Sequence, residues 1–151
     1  MKKFELTTET KINIFGKKLF RIKALISFGL ISAGEKGGWV EKEENLSQSG
    51  NAWVYDDAEV YDDAWVYGNA MVYGNANVSG NADYTTIHGF GTQFRTTTFF
   101  RCKDKQVRVS CGCFFGTISE FREQVKRTRK GKVAEEYLMI ADLMEKHFSE
   151  E

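Results

Sequence analysis

A chain of 151 residues suits one domain, or one core with appendages. Its 21 basic and 21 acidic side chains balance, which excludes global polyelectrolyte behaviour. No apolar run reaches membrane-spanning length, the start lacks a signal peptide's apolar stretch, and the three cysteines are an odd number, so a reducing cytoplasm and no membrane partner are expected.

Residues 4–28 read as β-structure. Lys11 to Phe15 and Leu19 to Leu25 flank Gly16-Lys17-Lys18, a hairpin turn. Alternation puts Ile12 and Ile14 on one face, and Phe20, Ile22 and Ala24 on one face of the return strand. Gly29 to Gly38 reads as a loop. Gly38-Trp39-Val40 and then Leu46 read as irregular first rungs of a repeat.

Residues 51–84 repeat with a period of six. Ala52, Ala58, Ala64, Ala70, Ala76 and Ala82 hold one phase. Val54, Val60, Val66, Val72 and Val78 hold another, with Tyr84 in the sixth slot. That period marks a β-solenoid of stacked short strands, with Ala and Val inside. Three hexads close one triangular coil, so residues 18 apart stack at about 4.8 Å. Val54 then lies on Val72, Val60 on Val78, Val66 on Tyr84, Tyr55 on Tyr73 and Trp53 on Met71. Leu46 to Val54 is eight residues, so Ser47-Gln48-Ser49-Gly50 shifts the phase. About two coils bury little core, so flanking segments or other subunits must cap them. Proline is absent, and Gly-Asn or Asp-Asp takes each turn.

Beyond Tyr84, Thr96–Arg101 and Val107–Cys113 read as a strand pair about the turn Lys103-Asp104-Lys105. Thr117-Ile118-Ser119-Glu120 is a capping box that opens a helix. Gly131 punctuates, and Val133, Tyr137, Ile140, Met144 and Phe148 stripe a final helix. The expected fold is mainly β with α: a short left-handed parallel β-helix with an N-terminal β-hairpin cap, then a C-terminal β-hairpin and two α-helices. The divisions are 1–37 for the cap, 38–86 for the solenoid and 87–151 for the closing part.

The Ala-x-Val-Tyr-Gly-Asn units resemble left-handed parallel β-helix hexapeptide proteins. Gly37-Gly38-Trp39-Val40-Glu41 to Asn45-Leu46-Ser47-Gln48 resembles the lead-in of a small bacterial and phage-borne group of them. Cys111-Gly112-Cys113-Phe114 and Gly116-Thr117-Ile118-Ser119-Glu120-Phe121 are similar to a module of small phage proteins. The resemblance implies a phage or prophage product acting in a bacterial cytoplasm, and carries over no functional residue.

Candidate chemistry is sparse. Hexapeptide acyltransferases use a histidine as general base beside a coil, and His88 comes just after the last hexad. Its plain alternative is a loop histidine. Cys111 and Cys113 fall on one face of a strand, and with Cys102 and His88 they offer the residue types of a zinc site. Buried free cysteines are the plain alternative, and no cofactor is expected. Asp56-Asp57 and Asp62-Asp63 read as turn residues in place of Gly-Asn, without the spacing of a calcium loop.

Trp53, Tyr55, Tyr61, Trp65, Tyr67 and Tyr73 occupy outward phases. They are covered by the termini, or they anchor a subunit or partner interface. Charge is blocked along the chain. Residues 41–83 hold 1 basic and 9 acidic side chains, and residues 95–132 hold 11 and 3. Arg95, Arg101, Lys103, Arg108 and Arg122, with the Thr117 helix start, are the candidate anion site.

The leading expectation is a non-enzymatic, homo-oligomeric counter-defence protein. It would sequester a small anionic nucleotide signal or block a host defence protein. Duplex nucleic acid is not expected, because the acidic blocks repel a long polyanion. The alternatives are a hexapeptide-type acyltransferase and a structural or assembly protein.

Overall fold

The computed structural model describes residues 2–149. They form eleven strands and two α-helices: a mainly β chain with open sheets. Strand β1 (Phe4–Ile12) and β2 (Lys18–Ala24) make the expected hairpin, but its first strand starts earlier and ends before Ile14. Register shifts break the alternation on both sides of β2. Leu19, Ile22 and Ala24 are buried as a result, while Phe20 is only partly covered. Ile12 and Ile14 face outward, 71% and 87% exposed, because they lie where the hairpin runs past the core.

Strand β3 (Lys36–Val40) takes in the end of the stretch read as a loop together with the expected first rung at Trp39-Val40. This strand joins the hairpin antiparallel on one side and the repeats parallel on the other. One sheet therefore runs β1-β2-β3, then β5 (Glu59–Val60), then β7 (Asn77–Val78). Residue 37 lies within it, so hairpin and repeats share hydrogen bonds. Gly37 and Gly38 make this junction possible. A Cβ on Gly38 would lie 2.7 Å from the Ala58 carbonyl oxygen, and one on Gly37 2.6 Å from that of Val54.

The repeats stack in parallel. Strand β4 (Trp53–Val54) pairs with β6 (Met71–Val72), Trp53 on Met71 and Val54 on Val72. Val60 pairs with Val78. Both offsets are the expected 18 residues. The earlier rungs pair Val40 with Val60 and Leu46 with Val66, an offset of 20 that reflects the inserted pair before the repeats. The Ala and Val phases are buried from Ala52 to Val78. Turn geometry recurs with the period as well. Asp56, Asp62, Gly68 and Gly74 all take positive φ, between 53° and 68°. Asp tolerates that region better than most residues, which explains its exchange with Gly at this slot.

The periodicity stops one hexad early. Asn81–Asp83 forms a 3-10 turn, Ala82 is exposed, and Tyr84 starts a new sheet rather than lying on Val66 in a ladder. The C-terminal part is a four-stranded antiparallel sheet, not a strand pair. Its order is β11 (Phe114–Thr117), β10 (Val107–Cys111), β9 (Arg95–Arg101) and β8 (Tyr84–Phe90). The Thr-rich start of β8 and the tight turn at Gly112 conceal the two outer strands from a pattern reading.

This sheet packs against the last of the stacked repeats. The Met71 amide donates to Thr98 Oγ1 at 3.0 Å, and Ser110 Oγ donates to the Met71 carbonyl at 2.6 Å. Both backbone groups lie on the free edge of β6, so hydroxyls take the place of a next rung. On β9, Phe100 packs into the core of the repeats and Phe99 into the layer of α1 (Ile118–Thr128) and α2 (Gly131–His147). Adjacent residues of a strand face opposite sides, which lets one strand join both cores. Thr117 caps α1, and Glu120 returns the bond to the Thr117 amide at 2.8 Å.

At the other end, Lys3 is buried and donates to the Ala52 carbonyl at 2.8 Å. Its ammonium also lies 4.7 Å from the Phe28 ring centre. Glu59 ties three segments together. Its buried carboxylate meets Lys11 at 3.0 Å and Lys103 at 2.7 Å, with Asn13 Nδ2 donating at 3.2 Å.

Candidate functional site

The predicted basic site does not form one pocket. Arg101 meets Asp83 at 3.2 Å and packs on the Phe148 ring. Lys103 is held by Glu59, and Arg108 makes a forked pair with Asp104. Arg122 bridges Asp142 and Glu145, each at 2.9 Å. Thr117 is used by its own helix cap. Four of the block's basic side chains, Arg101, Lys103, Arg108 and Arg122, are thus paired with carboxylates, most of which lie far along the sequence. Asp104 is held below the usual carboxylate range by its Arg108 hydrogen bond. Arg95 differs from the others: its guanidinium bonds only the Gln93 amide oxygen among the described residues.

Cys102 lies apart from the other two cysteines. It is buried beside Ala76 at the end of the repeats, and burial pushes its thiol up. Cys111 closes β10 and accepts a bond from Thr97 Oγ1 at 3.2 Å. Gly112 turns the chain with φ 59°, so Cys113 lies beyond the strand and is exposed, and it lines a depression of about 130 Å³ together with Cys111. No group of three potential metal ligands gathers among the described residues.

The aromatic set divides too. Trp53 is fully buried, with Phe4 and Phe28 packed edge-on against it, because the N-terminal segment covers that face. It is a core residue and not an interface anchor. Tyr61 is buried with Leu19 and Trp39. Tyr55 and Tyr73 stack at 3.9 Å, as the 18-residue spacing predicts, and are half-buried. Trp65 and Tyr67 remain exposed.

What the fold does assemble is a cavity of about 480 Å³ between the repeats and the C-terminal sheet. The repeats contribute Asn51, Tyr55, Asn69 and Met71, and the chain before β3 contributes Leu30 and Ile31. The opposite side carries His88, Arg95, Thr96 and Cys113. His88 and Thr96 are cross-strand partners on β8 and β9. Arg95 lies against Gly112, where a Cβ would collide with its guanidinium. Burial pushes the Tyr55 phenol up, so it stays protonated as a hydroxyl donor. An imidazole, a guanidinium, amides and a hydroxyl thus meet an apolar floor, the usual make-up of a small-molecule site. Of the sequence candidates, this cavity unites His88, Arg95, Tyr55 and Cys113. Asn51 and Asn69 escape a sequence reading as site residues, since the repeat presents them as turn residues.

No family model matches the chain. It is 36% identical over 66 residues to an Escherichia coli (strain K12) protein named as the uncharacterized acetyltransferase YdcK. The match covers 37% of this chain and 19% of that protein. The chain thus spans about a fifth of the length of the curated relative it matches.

Proposed function

We propose that the chain is a hexapeptide-type acyltransferase module, built on a short left-handed parallel β-helix that residues 1–37 cap and residues 87–151 close. The single observation that carries this reading is the position of His88. It lines a cavity of about 480 Å³ at the flank of the repeats, with a cation and neutral donors around it. The partial similarity to an acetyltransferase supports it. In the proposed reaction, His88 takes the proton of an acceptor hydroxyl or amine. The acceptor atom attacks the thioester carbonyl of the donor, the C–S bond breaks, and the imidazolium returns its proton to the leaving thiolate. Asn51 and Asn69 line the cavity, and their side-chain amides serve as the donors for the oxyanion. Arg95 is placed to hold a phosphate of the donor.

Self-association is the second part of the proposal. Ile12, Ile14 and Phe15 stand exposed together at the hairpin tip, where a second copy would cover them.

The test is thiol release from acetyl-coenzyme A with a panel of amine and hydroxyl acceptors. Wild type should show acceptor-dependent release, and His88→Ala should lose about a hundredfold or more, as removal of a general base does. No acceptor-dependent release, or release unchanged in His88→Ala, would refute the assignment.

A further inference from the structure

Trp65 and Tyr67 form a built platform on a different side of the coil. Their rings stack at 4.4 Å and 22°, yet the residues are 48% and 52% exposed. Stacking uses one face of each ring. The backbone beneath is fixed from both directions. The Val66 amide donates to the Asn45 carbonyl, and the Ser47 amide to the Val66 carbonyl, each at 2.9 Å. The Trp65 amide donates to Asn81 Oδ1 at 2.9 Å, and the Tyr84 hydroxyl donates to the Trp65 carbonyl. Tyr84 itself is buried and meets Tyr67 edge-on. The two aromatics are therefore presented rigidly, at low entropic cost to a ligand.

Depressions lie on both sides of Trp65. One, of about 390 Å³, is lined by Trp65, Tyr67, Asn81, Tyr84, Thr85 and Thr86, none of them charged. Asn81 Oδ1 is taken by the Trp65 amide, which leaves Nδ2 free to donate outward. The Thr85 and Thr86 hydroxyls make no hydrogen bond among the described residues, so they too are available. The other depression, of about 470 Å³, adds Glu43, Glu44, Ser47 and Gln48. Neither shares a residue with the His88 cavity.

We infer that this surface binds a neutral oligosaccharide, extended across Trp65 with sugar units on either side. The apolar C–H face of a pyranose carries partial positive charge and suits the negative face of an aromatic ring. Sugar hydroxyls suit free amide, hydroxyl and carboxylate groups: Asn81, Thr85 and Thr86 supply the first two on one side, and Glu44 the last on the other, where Glu43 is paired with Lys2 and Gln48 with the backbone of Lys3 and Phe4. The glutamates disfavour polyanions, including nucleic acid and sulfated glycans. A second copy of the chain is a poorer occupant, because polar depressions rather than further apolar surface flank the two rings. The inference stands apart from the catalytic proposal and does not need it.

The experiment titrates chitotetraose, cellotetraose and maltotetraose, with a heparin tetrasaccharide as the anionic control, by tryptophan fluorescence and calorimetry. At least one neutral tetrasaccharide should bind wild type and His88→Ala alike. Trp65→Ala should bind roughly tenfold or more weakly, the loss expected for one stacking ring, and Tyr67→Ala should also weaken. Circular dichroism should show both variants folded, since the rings contribute surface and no core. Three outcomes would overturn the inference: no neutral glycan bound at millimolar concentration, binding unchanged in Trp65→Ala, or preference for the heparin fragment. Self-association lost in Trp65→Ala without glycan binding would assign the platform to a copy of the chain instead.

Discussion

At the scale of single residues, the buried phases of the repeat are the most exacting. Val66 is fully buried between Leu46 and the coil interior. Val66→Asp would place an unpaired carboxylate there and should cost several kcal/mol. Circular dichroism should find the variant unfolded; a soluble folded one would contradict the phase. Lys3 makes a subtler prediction. Burial pushes its ammonium down to about 8 from an ordinary 10.5. The charged form is therefore disfavoured in the folded chain, and the unfolded chain holds the proton more tightly. The cost is complete below pH about 8 and disappears above the unfolded value, so this residue makes stability rise with pH across that window. Urea titrations of wild type and Lys3→Met between these limits should show wild type gaining relative to the variant as pH increases. A constant difference would mean that the ammonium is not desolvated.

At the scale of elements, the chain is held by side chains that cross between segments. Glu59 projects from β5 to the hairpin on one side and to the sheet turn on the other. Burial pushes its carboxyl up, but hydrogen bonds from Lys103 and Lys11 outweigh this and hold it below its ordinary value. Lys11→Ala/Lys103→Ala should therefore destabilise by about 3–5 kcal/mol, the cost of leaving a buried charge unpaired. Glu59→Gln added to that pair should restore part of the loss. If it restores none, the carboxylate is not the strained group. The Thr98 and Ser110 seal on Met71 is of the same kind, since each hydroxyl satisfies an edge group that would otherwise lack a partner. Such crossings explain what the sequence concealed. Val54 to Val72 and Val60 to Val78 were legible because one period sets both burial and register. The partners of Glu59, Arg101 and Arg122 were not, because ion pairs between distant segments leave no periodic trace. Hence the basic block read as one anion site, although Arg101, Lys103, Arg108 and Arg122 are each taken by carboxylates of their own.

At the scale of the molecule, the hexad explains the scaffold and its ends explain the cavity. Tyr84 leaves the ladder one rung early, and the strands it starts fold back along the coil. That departure brings His88 and Arg95 opposite Asn51 and Asn69. These two pairs lie far apart along the chain, so His88, Arg95, Tyr55 and Cys113 were visible in the sequence only as candidates for separate roles. The hairpin tip bears on assembly. Phe15→Asp, in a chain otherwise intact, should shift sedimentation toward the monomer at micromolar concentration. Wild type already monomeric there would remove the proposed self-association.

The central claim is that an acyl-thioester donor occupies the His88 cavity. The direct measurement is a backbone amide NMR titration with coenzyme A. Amides of Asn51, Tyr55, Asn69, Met71 and Thr96 should move together and saturate, with Trp65, Thr85 and Thr86 unmoved. Arg95→Ala should weaken the binding without changing which amides respond. Shifts confined to another surface, or none at millimolar coenzyme A, would contradict it.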